Sequence, residues 1–293
     1  MPNLHDIERR ISSVKSTKQI TRTMEMVAAA KIRRSTERVE AATPYSNSMM
    51  EMLGNVAAQT SGSESPLLEV HEDVKRVLVV VVVSDRGLAG GFNSNVLRKA
   101  EGIMRDAKAT GAEVEVIACG KKAQGYFHYR KVEPVLSFKD LSADPTVAEA
   151  DEVAAYAIDG YTAGRLDKVV IVYNHAKNAA EQVLTEEVVL PVDASAFTAG
   201  TDADKLQGDT EFEPSVEVVL QSLLPAYVRT TIYHALIDSA AGEQAARRSA
   251  MKSATDNANE MVDTLTRIYN RARQGAITTE INEIVGGAAA LEE

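Results

Sequence analysis

The chain has no tryptophan, one cysteine, eight prolines and five phenylalanines in 293 residues. With so few aromatics, a core has to be filled by aliphatic side chains, a balance that favours long helices. The single Cys119 excludes an internal disulfide and fits a reducing compartment. No apolar run is long enough to span a bilayer, since the longest purely aliphatic stretch is Val77–Val83. Asp6, Glu8, Arg9 and Arg10 interrupt the place where the apolar segment of a signal peptide would lie. The histidines at 5, 71, 128, 175 and 234 are scattered without metal-ligand spacing. No G-x-S-x-G nucleophile element occurs. No metal, cofactor or catalytic constellation is therefore expected.

Charge of one sign is also unevenly missing. The net charge of −10 argues against general nucleic-acid binding. Yet residues 1–40 hold nine Lys/Arg against five Asp/Glu, a local excess of four positive charges. At the other end no cation follows Arg273, and the chain closes through Gly286, Gly287, Ala288, Ala289 and Ala290 to Glu292 and Glu293. A solvated helix end favours the opposite, because the macrodipole attracts cations there.

What is present falls into three parts. From Asn3, a plausible N-cap, to about Ala58 there is no Gly before Gly54 and no Pro before Pro44. Leu4, Ile7, Ile11 and Val14 repeat at a 3-4-3 spacing, the seam of a coiled coil. The apolar pattern blurs across "KSTKQITR" and resumes at Met24, Val27, Ile32 and Val39. Residues 1–58 are read as one helix, bent near Pro44, followed by the linker "TSGSESP".

Residues 67–212 alternate strands and helices. Buried strands are expected at Val77–Val83, Glu113–Gly120 and Lys168–Asn174, with an edge strand in Glu181–Val192. Helices are expected at Asn95–Ala109, Lys121–Arg130 and Thr146–Gly164. The fold class is α/β: a parallel or mixed sheet with helices on both faces, bracketed by two long helices. Ala194–Asp209 reads as a loop. Residues 213–293 form the last part, in which Pro225 should start or kink the helix. Ala240, Met251, Ala254, Ala258, Met261, Leu265, Ile268 and Ala272 mark an apolar stripe narrow enough for one partner helix.

If the long helices return together as an antiparallel pair, their lengths differ. At about 1.5 Å per residue they reach roughly 80 and 100 Å, so the second overhangs by roughly 20 Å. That tip holds Ile277, Ile281, Ile284, Val285 and Leu291 with no helix opposite, and two glycines that each cost about 1 kcal/mol relative to Ala. Alone it should fray, and a close-fitting external sleeve would order it; a frayed terminus without a role is the other reading the pattern leaves open.

Four stretches resemble one family. "ITTEINEIVGGAAA" (Ile277–Ala290), with "EQAARRSAMKSATDNA" (Glu243–Ala258) and "YNRARQGAIT" (Tyr269–Thr278), resembles the C-terminal helix of the gamma subunits of F-type ATP synthases. "ITRTMEMVAAAKIRR" (Ile20–Arg34) is similar to their N-terminal helix, and "SDRGLAGGFN" (Ser84–Asn93) to their middle domain. The resemblance implies a Rossmann-like α/β domain between coiled-coil helices, acting as a rotor shaft with no active site of its own. Its partners would be the alpha and beta subunits of the catalytic head, the epsilon subunit and the c-subunit ring. Rotation of that ring, driven by protons, would be passed to the head and so coupled to ATP synthesis or hydrolysis. By motif, Gln274, Thr278, Glu280 and Arg247 would contact the beta subunit, joined by the basic face Lys31, Arg33 and Arg34. Thr210 and Phe212 would contact the c ring. The lone Cys119 departs from the paired-cysteine redox switch of chloroplast relatives, and no transit peptide is apparent. A peripheral place on the cytoplasmic side of a bacterial membrane, reached through partners, is the implied location.

Two other readings compete. A nucleotide-binding enzyme would use the glycine-rich turn after the first strand. However, Gly87, Gly90 and Gly91 do not space as G-x-G-x-x-G, and no P-loop lysine follows. A tight strand-to-helix turn explains them as well. A static coiled-coil scaffold would share the helix pair without needing an apolar overhang.

Overall fold

The structure is a computed structural model that describes residues 4–59, 65–141, 144–178, 181–193, 213 and 215–292, with side chains at all of these except 57–59 and 289–292. The expected N-cap Asn3, most of the linker, the loop Ala194–Asp209 and the residues Thr210 and Phe212 lie outside the described residues. In chain order the elements are α1 (Leu4–Gln59), β1 (Arg76–Val82), α2 (Phe92–Ala109), β2 (Glu113–Cys119), α3 (Lys121–Tyr129), β3 (Leu136–Phe138), α4 (Val147–Thr162), β4 (Lys168–Ala176), β5 (Gln182–Leu190) and α5 (Val216–Glu292). The chain divides into two compact units, one of Met1–Ala28 with Arg248–Glu293 and one of Ala29–Arg247.

The larger unit is built on a five-stranded mixed sheet of order β3-β2-β1-β4-β5. The first four strands run parallel, and β5 pairs antiparallel with β4. Both faces of β1 are covered, which is why it reads as an unbroken aliphatic run rather than an alternation. Leu78, Val80 and Val82 enter one apolar cluster with Leu53 of α1, Val153 of α4 and Leu224 and Ile232 of α5. Val77, Val79 and Val81 enter the opposite cluster with Val96 and Leu97 of α2 and Phe127 of α3. Each such fully buried side chain contributes about 1.5–3 kcal/mol.

Local signals set the ends of the elements. Thr146 caps α4 through a reciprocal capping box with Glu149. Gly120 turns β2 into α3 at φ 103°, and a methyl group there would lie 2.2 Å from the Val83 carbonyl oxygen. Three expectations need correction. Helix α2 starts at Phe92 rather than Asn95, because the turn before it is already closed by the Phe92 N–H to Ala89 O bond of 3.2 Å. Helix α5 starts at Val216 and contains Pro225, so of the two expected alternatives the proline does not start the helix. The three-residue strand β3 was not anticipated, since so short a segment carries no readable period.

The smaller unit is a pair of helical segments. Thr21 Oγ1 and Thr255 Oγ1 are 2.7 Å apart in its buried interior. An antiparallel pair in register through that contact brings together residues whose numbers total 276. Leu4 then meets Ala272, Ile7 meets Tyr269, Ile11 meets Leu265, Val14 meets Val262 and Lys18 meets Ala258. Each of these positions is buried or half-buried, and most of their neighbours are exposed. Both helices therefore follow one unbroken 3-4 seam. The apolar residues Val27, Met261 and Ile268, expected in the seam, are 52%, 53% and 45% exposed. Ala28, Val262 and Tyr269 take the inward positions instead.

Candidate functional site

The register leaves α5 alone past its last half-buried residue, Ala276. From Ile277 to Ala288 every side chain is exposed, including Ile281, Ile284 and Val285. Four large aliphatic residues on twelve residues of single helix form an apolar surface that the seam does not cover. Of the sequence-derived contact residues, Gln274, Thr278 and Glu280 lie on or beside this stretch and are exposed. Thr278 Oγ1 donates to the Gln274 carbonyl at 2.9 Å, which fixes the hydroxyl against its own helix.

The cations divide into two kinds. Lys31, Arg33 and Arg34 are exposed on α1, and Arg33 pairs with Glu37 one turn on at 2.9 Å. Arg247 is only 8% exposed. Its guanidinium meets Glu243 at 2.6 Å and donates to Gln244 Oε1 and to the Gly87 carbonyl, both at 3.2 Å. Arg247 thus ties α5 to the glycine-rich turn of its own chain and does not belong to the exposed basic set.

That turn is a built object. Asn93 Oδ1 accepts from both the Ser84 amide and hydroxyl at 2.9 Å. Asp85 Oδ1 accepts from the amides of Lys121 and Asp140, each at 2.9 Å, and so joins the turn to α3. Leu88 and Gly90 take positive φ values of 64° and 59°. In open α/β sheets the ligand crevice lies at the carboxyl ends of the strands, where the strand order reverses. Here that reversal falls between β1 and β4, and α5 fills the crevice. A methyl group on Gly242 would lie 3.1 Å from the Asn174 carbonyl oxygen and 3.5 Å from the Phe92 ring. Asn174 itself donates to the Phe92 carbonyl at 3.0 Å. Asp238, almost fully buried on α5, accepts from the Ala176 amide at 3.0 Å and meets His175 Nδ1 at 2.6 Å.

Sequence reasoning did not find Thr21, Thr255, Asn174, Gly242 or the Asp238–His175 pair. Only Thr21 carried a usable signal, since it continues the 3-4 count from Leu4 through Val14. The others act through contacts between distant parts of the chain, which periodicity does not report. Among the described residues no group of three His, Cys, Asp or Glu side chains could hold a metal ion, and no helix is long and apolar enough to cross a membrane.

These features define a class: an α/β domain flanked in sequence by two long terminal helices, with one of its own helices seated where a nucleotide would otherwise bind. Residues 3–291 match the family model described as ATP synthase. The ATP synthase gamma chain of Desulforamulus reducens is 45% identical over the full length of both chains, and that of Chlorobium limicola 41%. The chain belongs to the ATP synthase gamma chain family. Among solved structures, a chain from the central stalk and c ring of the Tetrahymena thermophila mitochondrial ATP synthase superposes with a TM-score of 0.56 at 26% identity, covering 80% of this chain and 99% of that one. A chain from the rotor of the Euglena gracilis enzyme superposes with a TM-score of 0.64 over 94% of this chain and 98% of that one; at 19% identity it speaks for the fold alone.

Proposed function

We propose that this chain is the central-stalk rotor subunit of an ATP synthase. It passes rotation of a membrane c ring to the catalytic sites of an alpha/beta hexamer and has no active site or cofactor of its own. The observation that carries this reading is the helix pair, whose second strand continues as a bare apolar helix beyond its partner's end. A shaft alters a site's affinity only through unequal contact with that site's conformers. An off-centre helix pair presents a different side to each surrounding subunit. The filled crevice supports the non-catalytic part of the reading, because the place for a nucleotide is taken by α5.

The finer assignments belong to the same proposal. Gln274, Thr278 and Glu280 contact the beta subunit, with Lys31, Arg33 and Arg34 as a basic face toward acidic residues. Arg247 serves that contact from behind, by holding the turn at Gly87. Thr210 and Phe212 reach the c ring, and the domain of 67–212 carries the epsilon subunit between the shaft segments 1–58 and 213–293. The subunit sits on the cytoplasmic side of a bacterial membrane, held there by its partners.

Co-purification with a tagged beta subunit tests the assignment, with a stoichiometric complex as the expected result. In that complex, removal of residues 277–293 should weaken ATP-driven proton pumping. Pumping per ATP that stays at the full-length value would favour a static scaffold.

A further inference from the structure

Among the described residues, three that are not glycine take a positive φ: Leu88 at 64°, Lys131 at 57° and Asp140 at 61°. Two of them have local reasons. Lys131 follows the last turn of α3, where helices commonly end in the left-handed conformation. Asp140 carries a short polar side chain, and such residues visit that region readily. Leu88 has neither reason. In an ordinary L-residue this conformation crowds Cβ against the following carbonyl oxygen, whereas a glycine at 88 would take it freely. The leucine side chain does not serve the core, since Leu88 is 62% exposed. Yet the turn that carries it is held from three helices. Asn93 of α2 binds Ser84, Asp85 binds the first amide of α3, and Arg247 of α5 donates to the Gly87 carbonyl. A strained residue persists where its surroundings over-determine it in this way, and such places cluster at functional sites.

We infer that Leu88 is a contact residue for the beta subunit, its side chain entering an apolar recess of that partner rimmed by carboxylates. This rests on the rotor reading and adds a residue to the beta contact proposed above. The fold gains nothing from a leucine at 88, so the side chain acts on another molecule. An aliphatic knob on a rigid base calls for an apolar recess. Cations flank the knob: Arg86 and Lys122 are exposed, and a methyl group on Gly87 would lie 3.9 Å from Lys122 Cε. Complementary charge therefore makes the rim acidic. A second copy of this chain is a poor fit, because the same turn would set these cations against their equivalents. The choice of beta follows from Arg247, which is part of that contact and grips the carbonyl next to Leu88. The segment 194–212 leaves β5 at the other end of the sheet, since Leu190 pairs with Val169 at the start of β4 while the turn follows the end of β1.

Maleimide labelling of a Leu88→Cys chain tests this, with Cys119 fully buried and so giving no background. The isolated chain should label fast, and ATP synthase purified with it at least tenfold more slowly. Equal rates overturn the proposal. Slow labelling of the isolated chain means that its own residues cover position 88, and also overturns it. Leu88→Asn separates contact from fold, because asparagine accepts the left-handed conformation. The isolated variant should melt at the wild-type temperature or above it. In the assembled enzyme it should lose at least half of the proton pumping per ATP, and Leu88→Met, which keeps an apolar side chain, should recover most of that loss. A lowered melting temperature would make Leu88 a residue of the fold, and undiminished pumping would leave the knob without a role; either result overturns the proposal. Failure of the wild-type chain to co-purify with a tagged beta subunit would instead strike the rotor assignment, so the two failures are separable.

Discussion

Thr21 and Thr255 share a buried hydrogen bond, Oγ1 to Oγ1 at 2.7 Å, between the two segments of the helical unit. Each hydroxyl also meets a carbonyl of its own helix, Thr21 that of Lys18 at 3.0 Å and Thr255 that of Met251 at 2.9 Å. Two protons serve three contacts, so neither hydroxyl is indifferent to the other. Thr21→Val or Thr255→Val alone should destabilise the chain by about 1 kcal/mol, because one buried hydroxyl loses a partner. The double substitution should cost less than the two singles together, because it removes both polar groups from the seam. A double-mutant cycle by denaturant unfolding measures the difference, and strict additivity would show that the two hydroxyls act independently.

Arg247 and the pair Arg33 and Arg34 should separate under charge reversal. Arg247→Glu places a carboxylate beside Glu243 and removes the donor to the Gly87 carbonyl, so unfolding should become easier by about 3 kcal/mol. Arg33→Glu with Arg34→Glu alters only exposed side chains and should move stability by less than about 1 kcal/mol. In the assembled enzyme the exposed pair should nevertheless lower proton pumping per ATP. Thermal unfolding of the isolated chain and pumping in vesicles read the two effects independently.

Asp167 predicts an acid limb of stability. Burial pushes its carboxyl upward. Hydrogen bonds from His71 and from the amides of Lys75 and Arg76 outweigh burial and hold it below the ordinary carboxylate range. A lowered folded value stabilises the folded state fully above the unfolded carboxylate pKa of about 3.9, and that contribution fades as pH falls through the folded value. Asp167→Asn should therefore cost about 2 kcal/mol at neutral pH, and the gap to wild type should narrow below about pH 4. A gap that is constant with pH would leave the carboxylate without this role.

Cys119 should be chemically silent. It is fully buried at the end of β2, and burial, helped by the charge of Glu149, pushes its thiol up to about 12. Only the thiolate reacts, so a maleimide or iodoacetamide at pH 8 should label the chain only after denaturation. Rapid labelling of folded chain would mean that the end of β2 opens readily.

The elements that sequence pattern placed well are those whose own period decides them. Val77–Val83 reads as a buried strand and β1 spans Arg76–Val82, and Thr146–Gly164 reads as a helix and α4 spans Val147–Thr162. The helix seam was legible only where it is apolar. It passes through Lys18, Thr21, Thr255 and Tyr269, which hydropathy scores poorly, while Val27, Met261 and Ile268 score well and face outward. Arg247 is the sharpest case at the candidate site. A lone arginine on a helix reads as a solvated cation, and only the fold brings Gly87 to it across 160 residues of sequence.

A sheet that elsewhere grips a diffusible guest here grips a length of its own chain, with Gly242 pressed against Asn174. A guest joined covalently to its host cannot be washed out or competed away by any solute. Its local concentration is set by the chain itself and does not depend on any ligand in solution. The crevice has exchanged the selectivity of a pocket for the permanence of a keyed joint.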